Sequence, residues 1–161
     1  MTTFRSHLRE DISLRVKWLN SNRAAFCSVN KRNIIITEDS QNEWFNTYEA
    51  KKKDGVKKFF TILSDNIAIG FMGLTNMNKK IGTAGVFILI GGVENRGRGI
   101  GEQSMRYLID YAFIDIGLKS LYLEVEESNS IAINLYNKLG FKKLSQEGGF
   151  ISMSLSCDVM S

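Results

Sequence analysis

Apolar positions change their period along this chain, and the changes mark out its elements. Arg9–Asn22 sets Ile12, Leu14, Val16 and Leu19 among charged residues after an acidic start, which predicts a first amphipathic helix. Glu38–Lys53 carries Trp44, Phe45 and Tyr48 behind Asp39 or Ser40 as N-cap and predicts a second. Lys58–Ser64 and Ile67–Leu74 are β-rich runs separated by the turn-forming pair Asp65-Asn66, a hairpin signal. Thr83–Ile90 is apolar almost throughout, as expected of a strand buried on both faces. The helical period returns over Gly99–Ile116, with Ile100, Met105, Leu108, Ile109, Ala112 and Phe113, and Gly117 stops it. Ser120–Glu126 alternates as a strand. Asn129 then caps a short helix that turns Ala132, Leu135, Tyr136 and Leu139 inward and stops at Gly140. Leu144 and Phe150–Leu155 supply closing strands around Gly148-Gly149. The order predicts an α/β (α+β) protein, one domain over residues 1–161, with a mixed sheet and helices on both faces.

Composition narrows the classes. A hydrophobic fraction of 43% with 24% charged residues is that of a globular domain, so disorder is not expected. The longest apolar stretch, Gly85–Val93, is too short to span a bilayer, and charges interrupt the first twenty residues, so the expectation is a cytoplasmic protein. Cys27 and Cys157 lie far apart, His7 is the sole histidine, and no zinc spacing results; no metal is expected. The net charge of +4 comes from lysines spread over several segments, which reads as solvated rims rather than a nucleic-acid footprint. The same modest excess suits an anionic small molecule.

The most informative stretch is Arg96–Gly101 (RGRGIG), at a helix start. Glycines let the backbone take positive φ and approach a ligand, and successive N–H groups on a helix N-terminus form an anion nest. Three readings compete: a plain turn, a dinucleotide fingerprint, and an acyl-CoA pyrophosphate loop. The fingerprint reading would use Gly99-x-Gly101-x-x-Ser104 with Glu124 as ribose acid, but the preceding strand ends too early and too little chain follows for a doubly wound sheet.

Arg96-x-x-Gly99-x-Gly101 matches the Q/R-x-x-G-x-G/A signature of the GNAT superfamily of N-acetyltransferases. Asn129-x-x-Ala132-x-x-Leu135-Tyr136-x-Lys138-x-Gly140-Phe141 resembles the second hallmark of that superfamily and falls at the expected distance downstream. The close resemblance covers about Ile88–Leu144. It implies a mostly antiparallel, single-layer sheet splayed at its centre between the strands Thr83–Gly91 and Ser120–Glu126, with acetyl-CoA wedged in the gap. Pantetheine would pair with the backbone near Leu89, Ile90 and Gly91. Arg96 and the amides of Gly97, Arg98, Gly99, Ile100 and Gly101 would hold pyrophosphate, and Asn129 would contact the cofactor from the opposite wall. Tyr136 would protonate the departing thiolate. Many relatives carry a glutamate early on the fourth strand. The ungapped position here is Gly85, which leaves Glu124 as the substitute base, or else as a solvent-facing or ion-paired strand residue.

The acceptor is the least legible part. Trp18-Leu19-Asn20 and Glu43-Trp44-Phe45 are similar to a subgroup that acetylates nucleotide-sugar amines, polyamines or ribosomal-protein N-termini. The first expectation is a nucleotide-linked amino sugar, with Trp18 and Trp44 stacking on a base or sugar, or else simply packing. Polyamines come second, with Glu10, Asp11, Glu38, Asp39 and Glu43 as a local acidic patch. A silent acetyl-CoA sensor is the non-enzymatic alternative. The alternating edge of Phe150–Leu155 raises the expectation of a homodimer.

Overall fold

The computed structural model describes residues 1–21, 36–92, 95 and 97–160, so Cys27 and Arg96 lie outside it. The chain opens with a strand that its sequence pattern did not announce, β1 (Thr2–Ser6), and a 3-10 turn at Arg9–Asp11. Helices α1 (Ile12–Ser21) and α2 (Glu38–Ala50) follow. The meander is β2 (Lys58–Ser64), β3 (Ile67–Asn78) and β4 (Thr83–Ile90). The second half runs α3 (Ile100–Asp110), β5 (Ser120–Glu126), α4 (Ser130–Leu139), β6 (Lys142–Glu147) and β7 (Phe150–Ser156). All seven strands join one sheet in the order β1-β2-β3-β4-β5-β7-β6. The pairing is antiparallel except between β4 and β5.

Local chemistry accounts for the boundaries. Asp65 and Asn66 both take positive φ, 49° and 68°, as a two-residue hairpin with right-handed strand twist requires. The cap of α2 is Thr37, earlier than the expected Asp39 or Ser40. Its hydroxyl accepts from the Ser40 N–H at 3.1 Å, and the Ser40 hydroxyl accepts from the Thr37 N–H at 3.2 Å. The apolar period of α3 continues through a π-helical turn, Tyr111–Ile116, to Gly117 at φ 84°.

Two apolar layers flank the sheet. Helices α3 and α4 cover one face, where Met105, Leu108 and Ile109 meet Met72, Leu74, Leu121 and Leu123. Helices α1 and α2 cover part of the other, with Trp18 and Leu19 on Phe71 and Leu89, and Phe45 and Tyr48 on Phe59. Beneath α1 runs a polar chain. Asp11 accepts two hydrogen bonds from the Arg5 guanidinium, one from the Leu8 N–H and one from the Thr61 hydroxyl, all at 2.7–2.8 Å. The Thr61 hydroxyl spends its proton on Asp11, so at 2.8 Å it must accept from His7 Nδ1–H. His7 therefore carries a proton on Nδ1, and because burial lowers its pKa to about 4 the ring is neutral at neutral pH.

Two expectations need correction. β4 is only half-buried at Val86, Phe87 and Ile88, because its outer edge loses its neighbour partway along. β7 is interior, paired by β5 on one side and β6 on the other, so Phe150–Leu155 presents no free edge; the edge strand is the exposed, charged β6.

Candidate active site

The parting of β4 and β5 defines the site. Parallel pairing is confined to Thr83–Gly85 against Ser120–Tyr122, and beyond that point only β3 supports β4. The Gly91 N–H donates to the Ile69 carbonyl at 2.6 Å. In an antiparallel ladder successive residues turn their peptide groups to opposite sides. Leu89 therefore points its groups at β3, as Gly91 does its N–H, while Val86, Ile88 and Ile90 point theirs into the gap. Of the three residues expected there, only Ile90 faces it, and Val86 and Ile88 join it. Register decides this, and register is invisible in a uniform apolar run.

Gly91 has a different task. A Cβ built on it would lie 2.1 Å from Trp18 Nε1, and its carbonyl accepts from Asn95 Nδ2 at 2.9 Å. Trp18 thus packs flat on the backbone at the end of β4 and against Phe71, 7% exposed. That burial leaves no ring face for a base or sugar, which corrects its expected stacking role.

The glycine turn approaches α3 beside the gap. Gly97 and Gly99 take φ 73° and 75°, and nothing lies within 4 Å of where a Cβ would stand on either. Open space and left-handed backbone leave the amides of this turn accessible from outside, although Gly117, Gly148 and Gly149 share both features. Gly99 is the N-cap of α3, whose first N–H groups point outward along with the exposed Arg98. Ile100 is buried and anchors the turn. Gly101 is close to α4, 3.6 Å from Leu135 to its missing Cβ.

On α4, the Asn129 side chain caps the helix, accepting from the Ala132 N–H at 3.2 Å, and stays exposed. Tyr136 is half-buried in the same apolar cluster as Val86, Ile88 and Ile90, its ring 5.7 Å from Phe141. Burial pushes its phenol up to about 12. The phenol therefore keeps its proton at neutral pH.

The opposite face of the sheet holds a cleft of about 690 Å³ where the two strands part. Gly85, Val86 and Phe87 line it from β4, and Tyr122, Leu123 and Glu124 from β5. Strand alternation puts buried Leu123 towards Tyr136 and exposed Glu124 towards the cleft, so the two expected catalytic residues stand on opposite faces of the sheet. Trp44 and Arg15 form the wall below α1 and α2. Arg15 is buried, its Nε donates to Gln41 Oε1 at 2.7 Å, and its guanidinium sits 4.0 Å and 4.3 Å from the ring centres of Trp44 and Phe71. Burial lowers its pKa to about 9. Arg15, Thr75 and Tyr122 are cleft residues that sequence reasoning missed. The expected acidic patch loses Asp11, which is buried under Arg5.

Among the described residues no group of three His, Cys, Asp or Glu side chains is placed to hold a metal, and no helix is long and apolar enough to cross a membrane.

A sheet split between β4 and β5 with a glycine turn beside the split is the arrangement that the sequence resemblance implied. The model of the acetyltransferase (GNAT) family matches residues 19–141, and the chain belongs to that family. An N-acetyltransferase 9-like protein of Nematostella vectensis is 24% identical over 152 residues, 94% of this chain and 66% of the relative. The spermidine N(1)-acetyltransferase of Escherichia coli (strain K12) is 31% identical over 94 residues, 58% of this chain and 50% of the relative. The chain thus spans between half and two thirds of these relatives. Among solved structures, a spermidine N-acetyltransferase from Vibrio cholerae in complex with CoA and spermine superposes with a TM-score of 0.82 at 22% identity, covering 96% of this chain and 95% of that one. The shared architecture is the GNAT fold.

Proposed function

We propose that this protein transfers acetyl from acetyl-CoA to a primary amine, and that the amine belongs to a polyamine. The observation that carries the first half is the row of peptide groups on Val86, Ile88 and Ile90 turned into the gap, where pantetheine finds hydrogen-bond partners. The open nest at Gly97–Gly101 and exposed Arg98 suit pyrophosphate, and Asn129 stands on the far wall. The neutral amine enters from the cleft face. Its nitrogen bonds to the carbonyl carbon as the carbon–sulfur bond breaks. Tyr136, on the other face, donates to the leaving sulfur, and the amine's proton leaves towards Glu124 directly or through water.

The polyamine half rests on the relatives. The Escherichia coli protein is named for spermidine and the Vibrio cholerae structure holds spermine. A nucleotide-linked amino sugar, the first expectation from sequence, draws no support from them, and buried Trp18 withdraws one of its two stacking platforms. Of the two cations in the cleft lining, Lys57 is exposed to screening water, whereas the buried Arg15 is little screened and counts against a polycation close to it.

Release of free CoA thiol against a panel of amines tests both halves. Spermidine should outpace a UDP-linked amino sugar, an aminoglycoside and a peptide with a free N-terminus. A faster rate with any of those three replaces the acceptor class. Silence with all four while acetyl-CoA still binds replaces the enzyme with a sensor.

A further inference from the structure

The closed end of the split lies at a single pair of residues. Gly85 and Tyr122 are the last partners before β4 and β5 diverge, so a cofactor lying in the gap brings its reactive end against them. Gly85 has no side chain, and its place is already taken. A Cβ built there would lie 2.7 Å from the Thr75 hydroxyl and 3.2 Å and 3.4 Å from Cε2 and Cζ of Tyr122. The outer end of the Tyr122 ring therefore lies over the bare backbone of β4, at the apex of the wedge and on its cleft face. Tyr122 is 39% exposed there, whereas its neighbours Leu121 and Leu123 are buried on the other face. Glu124 follows two residues on, on the same face of β5.

We propose that Tyr122 is the acceptor-positioning residue, an aromatic wall at the apex of the split against which the chain of the acceptor lies. The glycine at position 85 leaves room for that ring: a Cβ there would crowd the Thr75 hydroxyl and oblige the edge of the ring to give by a few tenths of an ångström. An aromatic face beside a carboxylate suits an acceptor that carries further ammonium groups beyond the one being acetylated. The inference rests on the polyamine reading for the nature of the acceptor, but not for the position of the wall.

The test compares Tyr122→Phe and Tyr122→Ala in steady-state kinetics with acetyl-CoA and spermidine varied in turn. Phenylalanine keeps the wall and should stay close to the parent. Alanine should lower kcat/KM for spermidine about tenfold, as expected for loss of a cation–π contact of about 1.4 kcal/mol, with KM for acetyl-CoA unchanged. An unchanged kcat/KM for the acceptor in Tyr122→Ala overturns the proposal. So does an equal loss in both variants, which would assign the effect to the hydroxyl, or an equal rise in both KM values, which would assign it to the shape of the wedge. If spermidine is inert and another amine of the panel is acetylated, the polyamine reading falls and the same comparison with that amine decides the wall. A protein that acetylates no amine overturns both.

Discussion

Tyr136→Phe is expected to lower kcat by about 100-fold or more while acetyl-CoA binds as before. The substitution removes one oxygen from a ring that is half-buried against Phe141 and the α3–α4 layer, so the packing stays intact. What goes is a donor that burial keeps protonated, its pKa pushed up to about 12. Because the phenol does not titrate below that point, the residual activity of the variant should keep the parent's pH profile, merely scaled down. Turnover and cofactor affinity, measured separately by thiol release and by titration with acetyl-CoA, check this. Unchanged turnover would take Tyr136 out of the mechanism. A loss of affinity instead would make it part of the cofactor's wall.

The largest effect on stability is expected from Asp11→Ala, about 3 kcal/mol, or roughly 6–12 °C in Tm for a chain of this size. The carboxylate is 3% exposed and accepts from Arg5, the Leu8 N–H and Thr61, so its loss strands three donors at the junction of β1, β2 and α1. Its acid behaviour has a definite sign. Burial by itself would raise the pKa of Asp11, but the hydrogen bonds from Arg5, Leu8 and Thr61 outweigh it and hold the group near 2. His7 is lowered to about 4, by burial first and then by the positive charge of Arg15. Both groups bind fewer protons folded than unfolded, so stability falls as pH falls. The His7 contribution is full above 6.5 and is lost between there and about 4. The Asp11 contribution is lost lower, between about 4 and 2. Chemical denaturation at stepped pH should show both arms in the parent. The variant should lack the lower arm contributed by Asp11; a variant with the parent's stability would reduce the whole polar chain to decoration.

Much of the fold was legible because local chemistry and period agree there. The turn Asp65-Asn66 and the stop at Gly140 sit where the pattern places them, and β2, β4 and β5 begin and end on the expected residues. β1 was missed because Thr2–Ser6 is short and carries polar residues on both sides, so only its antiparallel pairing with β2 makes it a strand. The site divides the same way. The glycine nest and the Asn129–Gly140 helix are contiguous segments, and their chemistry can be read directly from the residues. The facing of Leu89, Ile90 and Gly91 depends on register with β3, and Tyr122 over Gly85 depends on a pair 37 positions apart. No local pattern encodes either. Trp18 shows the third limit: a tryptophan beside a ligand and one pressed onto a glycine look alike until the glycine is found beneath it.

Everything proposed for the reaction depends on acetyl-CoA lying between β4 and β5. Amide hydrogen exchange followed by two-dimensional NMR, with and without acetyl-CoA, tests that most directly. The account predicts that the Ile88 and Ile90 amides, which face the gap, gain protection when acetyl-CoA is added. The Leu89 and Gly91 amides, bonded to β3, should already be protected and change little. Gain at Leu89 and Gly91 without gain at Ile88 and Ile90, or no change along β4 while acetyl-CoA is bound, would place the cofactor elsewhere and contradict the account.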